Sequence, residues 1–240
     1  GVFPNQPRGD DDMAYSIDPI QDNCYPGTTV LVNKLHIHDE AALQEAEVLA
    51  TYVNASKLEQ CPLEGVFDFA HYKAIHQFLF SDLYDWAGQI RTVNLSKKGT
   101  DFCPAEMIEP QAKLIFDRLK EQNYFKGLSH DAFVEEITDF YCTTNYLHPF
   151  REGNGRSMRI WLDLILKKEI HQVIDWSKVD KEDYLLAMER SPIKDIEIKH
   201  LLKNALTDDV DSREVYMKGI DHSYYYEGYT TFKTEDLSKE

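Results

Sequence analysis

One segment of twelve residues constrains the fold of this chain more than any other feature. Residues 148–159 read His-Pro-Phe-Arg-Glu-Gly-Asn-Gly-Arg-Ser-Met-Arg. Apolar residues at helical spacing occupy 131–147 before this segment and 154–170 within and after it. Pro149 disfavours helical geometry in the residue before it. The pattern therefore predicts a helix, a tight loop and a second helix, with His148 at the mouth of the loop.

The predicted loop has the residue types that phosphate chemistry needs. Gly153 and Gly155 allow the backbone to approach an anion closely, and a helix that begins near Asn154 would direct its free N–H groups at that anion. Arg156 and Arg159 are three residues apart, so they share a helix face and can bind one polyphosphate. These features together predict a site for a phosphorylated ligand.

Three further side chains refine this prediction. His148 has the chemistry of a general base. Glu152 is an acid in an otherwise anion-attracting loop, which is expected if Mg²⁺ bridges its carboxylate to the phosphates. Phe150 is expected to anchor the loop in the core. The alternative interpretation is a helical corner with a glycine cap and a solvated arginine face.

The segment resembles the signature of the Fic family, His-x-Phe-x-(Asp/Glu)-Gly-Asn-Gly-Arg-x-x-Arg, and every specified position is present. The resemblance implies a protein adenylyltransferase, which transfers AMP from ATP to a Ser, Thr or Tyr hydroxyl of a target protein. It implies that His148 is the base and that Glu152 holds Mg²⁺. ATP and a hydroxyl-bearing protein are the expected partners. The residues expected to bind the phosphates of ATP are Gly153, Asn154, Gly155, Arg156 and Arg159.

The remaining pattern is mostly helical. Seven segments are predicted as helices, namely 39–52, 67–83, 105–122, 131–147, 154–170, 181–189 and 193–206. They predict an all-α fold, and the resemblance implies a Fic-type helical bundle with a small β-hairpin flap. His76 falls on the apolar face of the second helix, so it is expected to be a core histidine. Tyr184, Leu185 and Met188 are the candidates for an adenine pocket.

The expected domain division has three parts. Residues 1–24 form an N-terminal tail, and a vector-derived origin remains open for the residues before Met13. Residues 25–206 form the Fic domain, and residues 207–240 form a C-terminal segment with an inhibitory helix.

Residues 88–104 interrupt the helical pattern. Alternating β-branched residues followed by Lys97-Lys98-Gly99 predict a hairpin. The resemblance implies that this hairpin is the flap, which holds a target segment by strand addition. The alternative is a hairpin that only covers the bundle. The residues expected to dock the target are Ile90, Arg91, Thr92 and Val93.

A second motif lies near the other end of the chain, where residues 223–228 read Ser-Tyr-Tyr-Tyr-Glu-Gly. Ser223 and Glu227 are one helical turn apart, and Gly228 suits a helix C-terminus. The segment resembles the Fic inhibitory motif, (Ser/Thr)-x-x-x-Glu-(Gly/Asn), at its C-terminal position. The resemblance implies that Glu227 pairs with Arg159 and misplaces the triphosphate. The alternative is an amphipathic helix whose tyrosines pack on the bundle.

Three other functions remain open. Glu227 would activate water in a hydrolase that removes AMP from a modified target, and one protein could catalyse both directions. A Doc-type phosphotransferase would have an altered carboxylate–glycine pair, whereas Glu152-Gly153 is intact. A non-catalytic nucleotide-binding regulator would be expected to lack the equivalent of His148 or Glu152, and both are present.

Composition limits the partners. The 42 acidic and 26 basic residues give a net charge of −16, which argues against direct nucleic-acid binding and requires a local basic pocket for any anion. No apolar run approaches the length of a membrane span, and no leader pattern opens the chain. The four cysteines are widely spaced and predict reduced thiols, so a cytoplasmic protein is expected. Homo-oligomerisation remains open.

Overall fold

The computed structural model describes residues 16–17, 23–97 and 100–226. Eight α-helices lie in these residues, and the predicted all-α bundle with a small hairpin is confirmed. The helices are α1 Glu40–Gln60, α2 Phe69–Phe80, α3 Ile108–Glu121, α4 His130–Leu147, α5 Asn154–Ile170, α6 Lys181–Arg190, α7 Ile196–Asn204 and α8 Arg213–Tyr226.

Side-chain caps explain where several helices begin. Asp39 accepts a hydrogen bond from the backbone N–H of Ala42 at 2.9 Å, and Asp68 accepts one from His71 at 2.9 Å. Such caps satisfy backbone donors that have no partner inside the helix. The start of α1 was therefore predictable from Asp39. The end of α1 was predicted wrongly, because the helix continues past residue 52 to Gln60.

Short strands complete the fold. The strands are β1 Ser16–Ile17, β2 Leu95–Lys97, β3 Thr100–Asp101, β4 Val173–Ile174 and β5 Leu206–Thr207. The predicted hairpin is confirmed as the antiparallel pair β2–β3, and β1 pairs antiparallel with the other edge of β2. The predicted helix 193–206 is shorter, because Leu206 pairs with Ile174 in a second sheet.

The helices α2 and α5 form the centre of the bundle, with α1, α3 and α4 around them. Their shared core is aromatic, since Tyr72 stacks on Phe150 with ring centroids 5.9 Å apart and Phe140 stacks on Trp161 at 5.2 Å. Phe150 is fully buried, as its expected anchoring role requires. The loop that contains Phe150 is therefore anchored in the closely packed aromatic core of the bundle.

The last described helix, α8, packs on α1, on α5 and on the short 3₁₀ turn Trp176–Lys178. The hydroxyl of Tyr216 donates to the carbonyl of Ala55 at 2.7 Å, and Arg213 forms an exposed ion pair with Glu59 at 3.0 Å. Within the described ranges, none of the helices combines the length and the apolar character that crossing a bilayer would need.

Candidate active site

The loop between α4 and α5 is bounded by two residues with left-handed backbone. His148 has φ 42° and Gly153 has φ 77°. A Cβ atom on Gly153 would lie 2.1 Å from the ring of Phe80, so only glycine fits there. The sequence predicted both positions as special, and the structure shows that packing on α2 adds a second restriction at Gly153.

Asn154 closes the loop on itself. Its side-chain oxygen accepts from the N–H of Phe150 at 2.8 Å, and its side-chain nitrogen donates to the carbonyl of Phe150 at 2.7 Å. The carboxamide of Asn154 is thus engaged within the loop. A phosphate contact by Asn154 would come from its backbone N–H at the first turn of α5.

His76 supports the same loop from α2. It is fully buried, as expected of a core histidine, and its Nδ1 accepts from the N–H of Gly88 at 2.9 Å. Its Nε2 therefore bears the proton and donates to the carbonyl of Glu152 at 2.8 Å. Burial lowers the pKa of His76 to about 3, so the ring is neutral. His76 thus links Gly88, which precedes the hairpin, to Glu152 in the loop. The sequence did not predict this link.

His148 lies at the mouth of the loop, as predicted. Its ring stacks on Phe102 with centroids 3.8 Å apart, and its Nδ1 is 3.1 Å from the carbonyl oxygen of Asn145. A proton on Nδ1 donates to that carbonyl and places the basic lone pair on Nε2. Burial lowers the pKa of His148 well below its usual value, and the cations Arg91 and Lys97 lower it further. The imidazole is therefore neutral and able to accept a proton at physiological pH.

Glu152 lies within the loop and is 9% exposed, with Oε1 accepting from the N–H of Gly153 at 3.1 Å. The described residues contain no group of three His, Cys, Asp or Glu side chains that could hold a metal ion. A Mg²⁺ ion at Glu152 would therefore need phosphate oxygens and water as its other ligands, which suits this ion.

Arg156 extends from α5 toward α1. Its guanidinium forms a buried ion pair with Glu47 and donates to the hydroxyl of Thr51 at 3.2 Å. The other carboxylate oxygen of Glu47 accepts from the hydroxyl of Tyr84 at 2.6 Å. Sequence reasoning missed Glu47, although it lies four residues after Leu43 and four before Thr51 on the buried stripe of α1. The signal that could have identified Glu47 was an acidic residue on the face of α1 that the apolar spacing predicts to be buried.

Arg159 has a different environment. Its guanidinium carbon lies 5.2 Å from the ring centre of Trp176 and 5.6 Å from that of Tyr184. Arg159 and Arg156 both line a cavity of about 20 Å³, and Gly219 of α8 lies on the same cavity. The last described helix therefore covers the side of the site where the two arginines lie.

The charge of Arg159 also affects His222, which lies near the end of α8. Burial lowers the pKa of His222 to about 4, and the cations Lys181 and Arg159 lower it further. Ser223 lies in the last turn of α8, which ends at Tyr226. Glu227 and Gly228 lie outside the described residues, so their inhibitory contact stays a prediction.

The expected docking residues divide between the core and the surface. Arg91 is 4% exposed and Val93 is 1% exposed, whereas Ile90 is half-buried and Thr92 is exposed. The first strand of the hairpin begins only at Leu95. Strand addition at this hairpin would therefore use residues that follow the four expected ones.

The adenine candidates lie on α6. Tyr184 is buried, its hydroxyl pairs with that of Tyr141, and its ring faces Arg159. Leu185 and Met188 are partly buried against the main core. A role of these residues in binding adenine stays a prediction.

Comparisons with known proteins agree with this geometry. A family model described as the Fic/DOC family matches residues 66–166. A probable protein adenylyltransferase, y4lH of Sinorhizobium fredii, is 37% identical over 175 residues, which are 72% of this chain and 88% of that protein. The probable protein adenylyltransferase Fic of Salmonella typhimurium is 35% identical over 172 residues, which are 72% of this chain and 84% of that protein.

Solved structures show the same fold. The BepC protein of Bartonella tribocorum, with bound AMPPNP, superposes with a TM-score of 0.69 at 27% identity and covers 78% of this chain and 97% of its own. The N-terminal Fic domain of a Bartonella effector protein from Bartonella sp. AR 15-3 superposes with a TM-score of 0.71 at 26% identity, covering 77% of this chain and 91% of its own.

Proposed function

Since the chain belongs to the Fic/DOC family and is a protein adenylyltransferase, we propose that residues 148–159 form its active site. The observation that carries the proposal is the buried, neutral His148 at the mouth of a loop that leads into the N-terminus of α5. A base beside an anion-binding helix terminus is the arrangement that transfer of a phosphate-linked group requires.

In the proposed reaction, a Ser, Thr or Tyr hydroxyl of the target attacks the α-phosphorus of ATP. Nε2 of His148 takes the hydroxyl proton as the new oxygen–phosphorus bond forms. The bond between the α-phosphorus and the bridging oxygen breaks, and pyrophosphate leaves with that electron pair. The target then carries AMP.

The start of α5 would stabilise charge on the α-phosphate. Backbone N–H groups in the first turn of a helix have no partner inside the helix and attract anions. Gly153 and Gly155 allow close approach, and the side chain of Asn154 keeps the loop in shape through its two bonds to Phe150. Groups that these bonds hold in place before ATP binds would be effective for electrostatic stabilisation.

Glu152 would hold Mg²⁺ against the phosphates, and the ion would neutralise their charge as pyrophosphate leaves. Arg159 would bind the terminal phosphates. Arg156 would contribute there only if its guanidinium left Glu47, because the buried ion pair now occupies it. We propose that Arg159 binds the triphosphate and that Arg156, through its pair with Glu47, mainly holds α5 against α1.

The C-terminal motif would restrain this site. The cavity beside Arg156 and Arg159 is lined in part by α8, and the last residue of α8 immediately precedes Glu227. A carboxylate there would compete with the γ-phosphate for Arg159 and displace the α-phosphate from the attacking hydroxyl. A displacement of about 1 Å suppresses transfer by roughly 10²-fold.

The hairpin would present the target. The edge of β2 is already paired with Ser16–Ile17, so a target segment would add to β3 or displace these residues. ATP is the expected substrate, and a cytoplasmic location, which the widely spaced cysteines favour, would supply it.

The test is incubation of the purified protein with ATP and a cell lysate. Label from α-labelled ATP should appear on a protein target, whereas label from γ-labelled ATP should not. The reverse pattern would indicate phosphoryl transfer and would contradict the proposal.

A further inference from the structure

Arg91 binds backbone atoms from three segments around the active site. It lies between α2 and β2 and is 4% exposed. Its Nε donates to the carbonyl of His148 at 2.7 Å, and its Nη1 donates to the carbonyl of Val93 at 2.7 Å. Its Nη2 donates to the carbonyl of Cys103 and, at 3.4 Å, to that of Leu147. One guanidinium thus connects the end of α4 with both ends of the hairpin.

The backbone of Arg91 adds a further contact, because its N–H donates to the carbonyl of Pro149 at 2.8 Å. Arg91 therefore binds the carbonyls of both residues that turn the chain from α4 into the loop. His148 has φ 42°, a left-handed conformation that is unfavourable for a residue with a side chain. Such a conformation persists only where surrounding contacts hold it, and the bonds from Arg91 are contacts of this kind.

The charge of Arg91 has no carboxylate partner in an ion pair within the part of the chain that the structure describes. Burying a cation on carbonyl oxygens alone is costly, and burial lowers the pKa of Arg91 to about 10. A smaller neutral side chain would avoid this cost. It would also leave several buried carbonyls without their donor, because only arginine presents a planar fork of five N–H groups.

One of the two hairpin ends that Arg91 holds also contacts the base. Phe102 immediately precedes Cys103, and the ring of Phe102 stacks on the ring of His148 with planes 13° apart. Arg91 therefore fixes the backbone of His148 and also the segment that presents the stacking partner of its imidazole. Both contacts limit where Nε2 of His148 can lie.

We propose that Arg91 is a positioning residue for AMP transfer, which holds His148 in its reactive place by connecting its carbonyl to the hairpin. This inference rests on the proposed role of His148 as the base. Arg91 acts through His148 and the hairpin, so its loss should affect the rate of transfer more than the binding of ATP.

The experiment compares Arg91→Gln and Arg91→Lys with the wild-type chain. We expect Arg91→Gln to lower kcat about 10²-fold, as misplacement of a catalytic group does, with the KM for ATP changed by less than about threefold. Arg91→Lys keeps a cation but not the fork, so it should recover only part of kcat. A kcat within about twofold of wild type in folded Arg91→Gln would overturn the inference.

The pH profile separates positioning from general loss of stability. Among the described residues, the cations Arg91 and Lys97 act on His148, and both favour the neutral imidazole. Arg91→Gln should therefore move the acid limb of kcat/KM to higher pH. Leu202→Ala, a core change in α7, should lower the unfolding temperature and leave the acid limb in place. An unmoved limb in Arg91→Gln would contradict the close contact of Arg91 with His148 on which the inference rests.

Two controls complete the design. If Arg91→Gln does not fold, Phe102→Leu removes the ring that stacks on His148 and leaves the buried charge intact, so it should still lower kcat with little change in the KM for ATP. A wild-type kcat in Phe102→Leu would count against the inference. Failure of the wild-type chain to transfer label from α-labelled ATP would instead overturn the proposed function.

Discussion

The imidazole of His148 lies parallel to the ring of Phe102, with centroids 3.8 Å apart. This contact joins the two parts of the site that the sequence presents separately, the loop after α4 and the hairpin. Because the ring is covered by Phe102 on one face and bonded through Nδ1 to Asn145, Nε2 is the atom suited to accept a proton.

The first prediction concerns this base. His148→Ala should lower kcat for AMP transfer at least about 10²-fold and leave nucleotide affinity nearly unchanged, because the imidazole matters only when the hydroxyl loses its proton. Calorimetry with a non-hydrolysable ATP analogue measures the affinity. Wild-type labelling by the folded variant would exclude the role.

The wild-type pH profile gives a second check on His148. Burial holds its pKa well below 6.5, and protonation removes the base. The group therefore stays active as the pH falls through 6.5 and is lost only below that value. An acid limb centred at or above the ordinary histidine pKa would contradict this environment.

The second prediction concerns the close packing of Gly153. Gly153→Ala should reduce stability and transfer, since its Cβ would lie 2.1 Å from the ring of Phe80. Gly127→Ala is the matched control, because Gly127 has φ 81° and a Cβ added there would meet no atom within 4 Å. The control should cost about 1–2 kcal/mol for the left-handed backbone, and Gly153→Ala roughly 1–3 kcal/mol more for the clash. Urea unfolding measures both, and equal losses would show that the Phe80 contact is unimportant.

The third prediction concerns the buried pair Glu47–Arg156. Each of Glu47→Leu and Arg156→Met should destabilise the chain by about 3–5 kcal/mol, because each removes one partner of a buried ion pair and leaves the charge of the other buried. The double variant should lose less than the sum of the two changes, which a double-mutant cycle of unfolding free energies measures. Additive losses would mean that the ion pair contributes no coupling.

The same double variant tests whether Arg156 contributes to ATP binding as Arg159 does. If Arg156 mainly holds α5 against α1, the folded double variant should bind ATP nearly as well as wild type. Arg159→Ala should weaken ATP binding more. Equal losses in the two variants would show that Arg156 also binds the triphosphate.

The sequence predicted some elements closely and could not predict others. The bounds of α5 agree with the prediction, 154–170, because Gly153 ends the loop and the apolar spacing ends at Ile170. The local sequence pattern was therefore sufficient to predict the bounds of α5. The contacts of Glu47 and His76 were not predictable, since their partners Arg156 and Glu152 lie 109 and 76 residues away along the chain. Periodicity predicts a helix but not which distant polar group its buried side chains meet.

The hairpin shows a second limit. Alternating residues near Val93 indicated a strand, but Val93 is buried and the strand begins at Leu95. The position of Arg91 explains the difference, because its N–H is bonded to Pro149 and its side chain holds carbonyls of both segments. These residues attach the hairpin to the bundle before it becomes a strand.

The fourth prediction concerns the hairpin. Ser96→Pro should raise the KM for the protein target about tenfold, which corresponds to one or two backbone hydrogen bonds, with little change in ATP affinity. Ser96 lies in the middle strand, and proline there removes a donor that pairs this strand with a neighbour, which should distort the hairpin edge to which the target would add. Leu128→Pro, in an exposed turn, is the control and should leave the KM unchanged. An unchanged KM in Ser96→Pro would place target docking elsewhere.

The final prediction concerns the C-terminal motif. Glu227→Gly should raise AMP transfer roughly tenfold or more, because Arg159 becomes available to the γ-phosphate and the α-phosphate reaches its reactive position. The gain should disappear in Glu227→Gly/Arg159→Ala. Glu227→Gln is the matched control, since it keeps the size of the side chain and removes its charge, and it should also activate transfer. The measurement follows label in both directions on one target, its transfer from α-labelled ATP and its release from the modified protein. If Glu227→Gly abolishes release of AMP instead of raising transfer, Glu227 is the base of a hydrolase. If neither rate changes, the tyrosine-rich segment is a packing element and the inhibitory assignment is wrong.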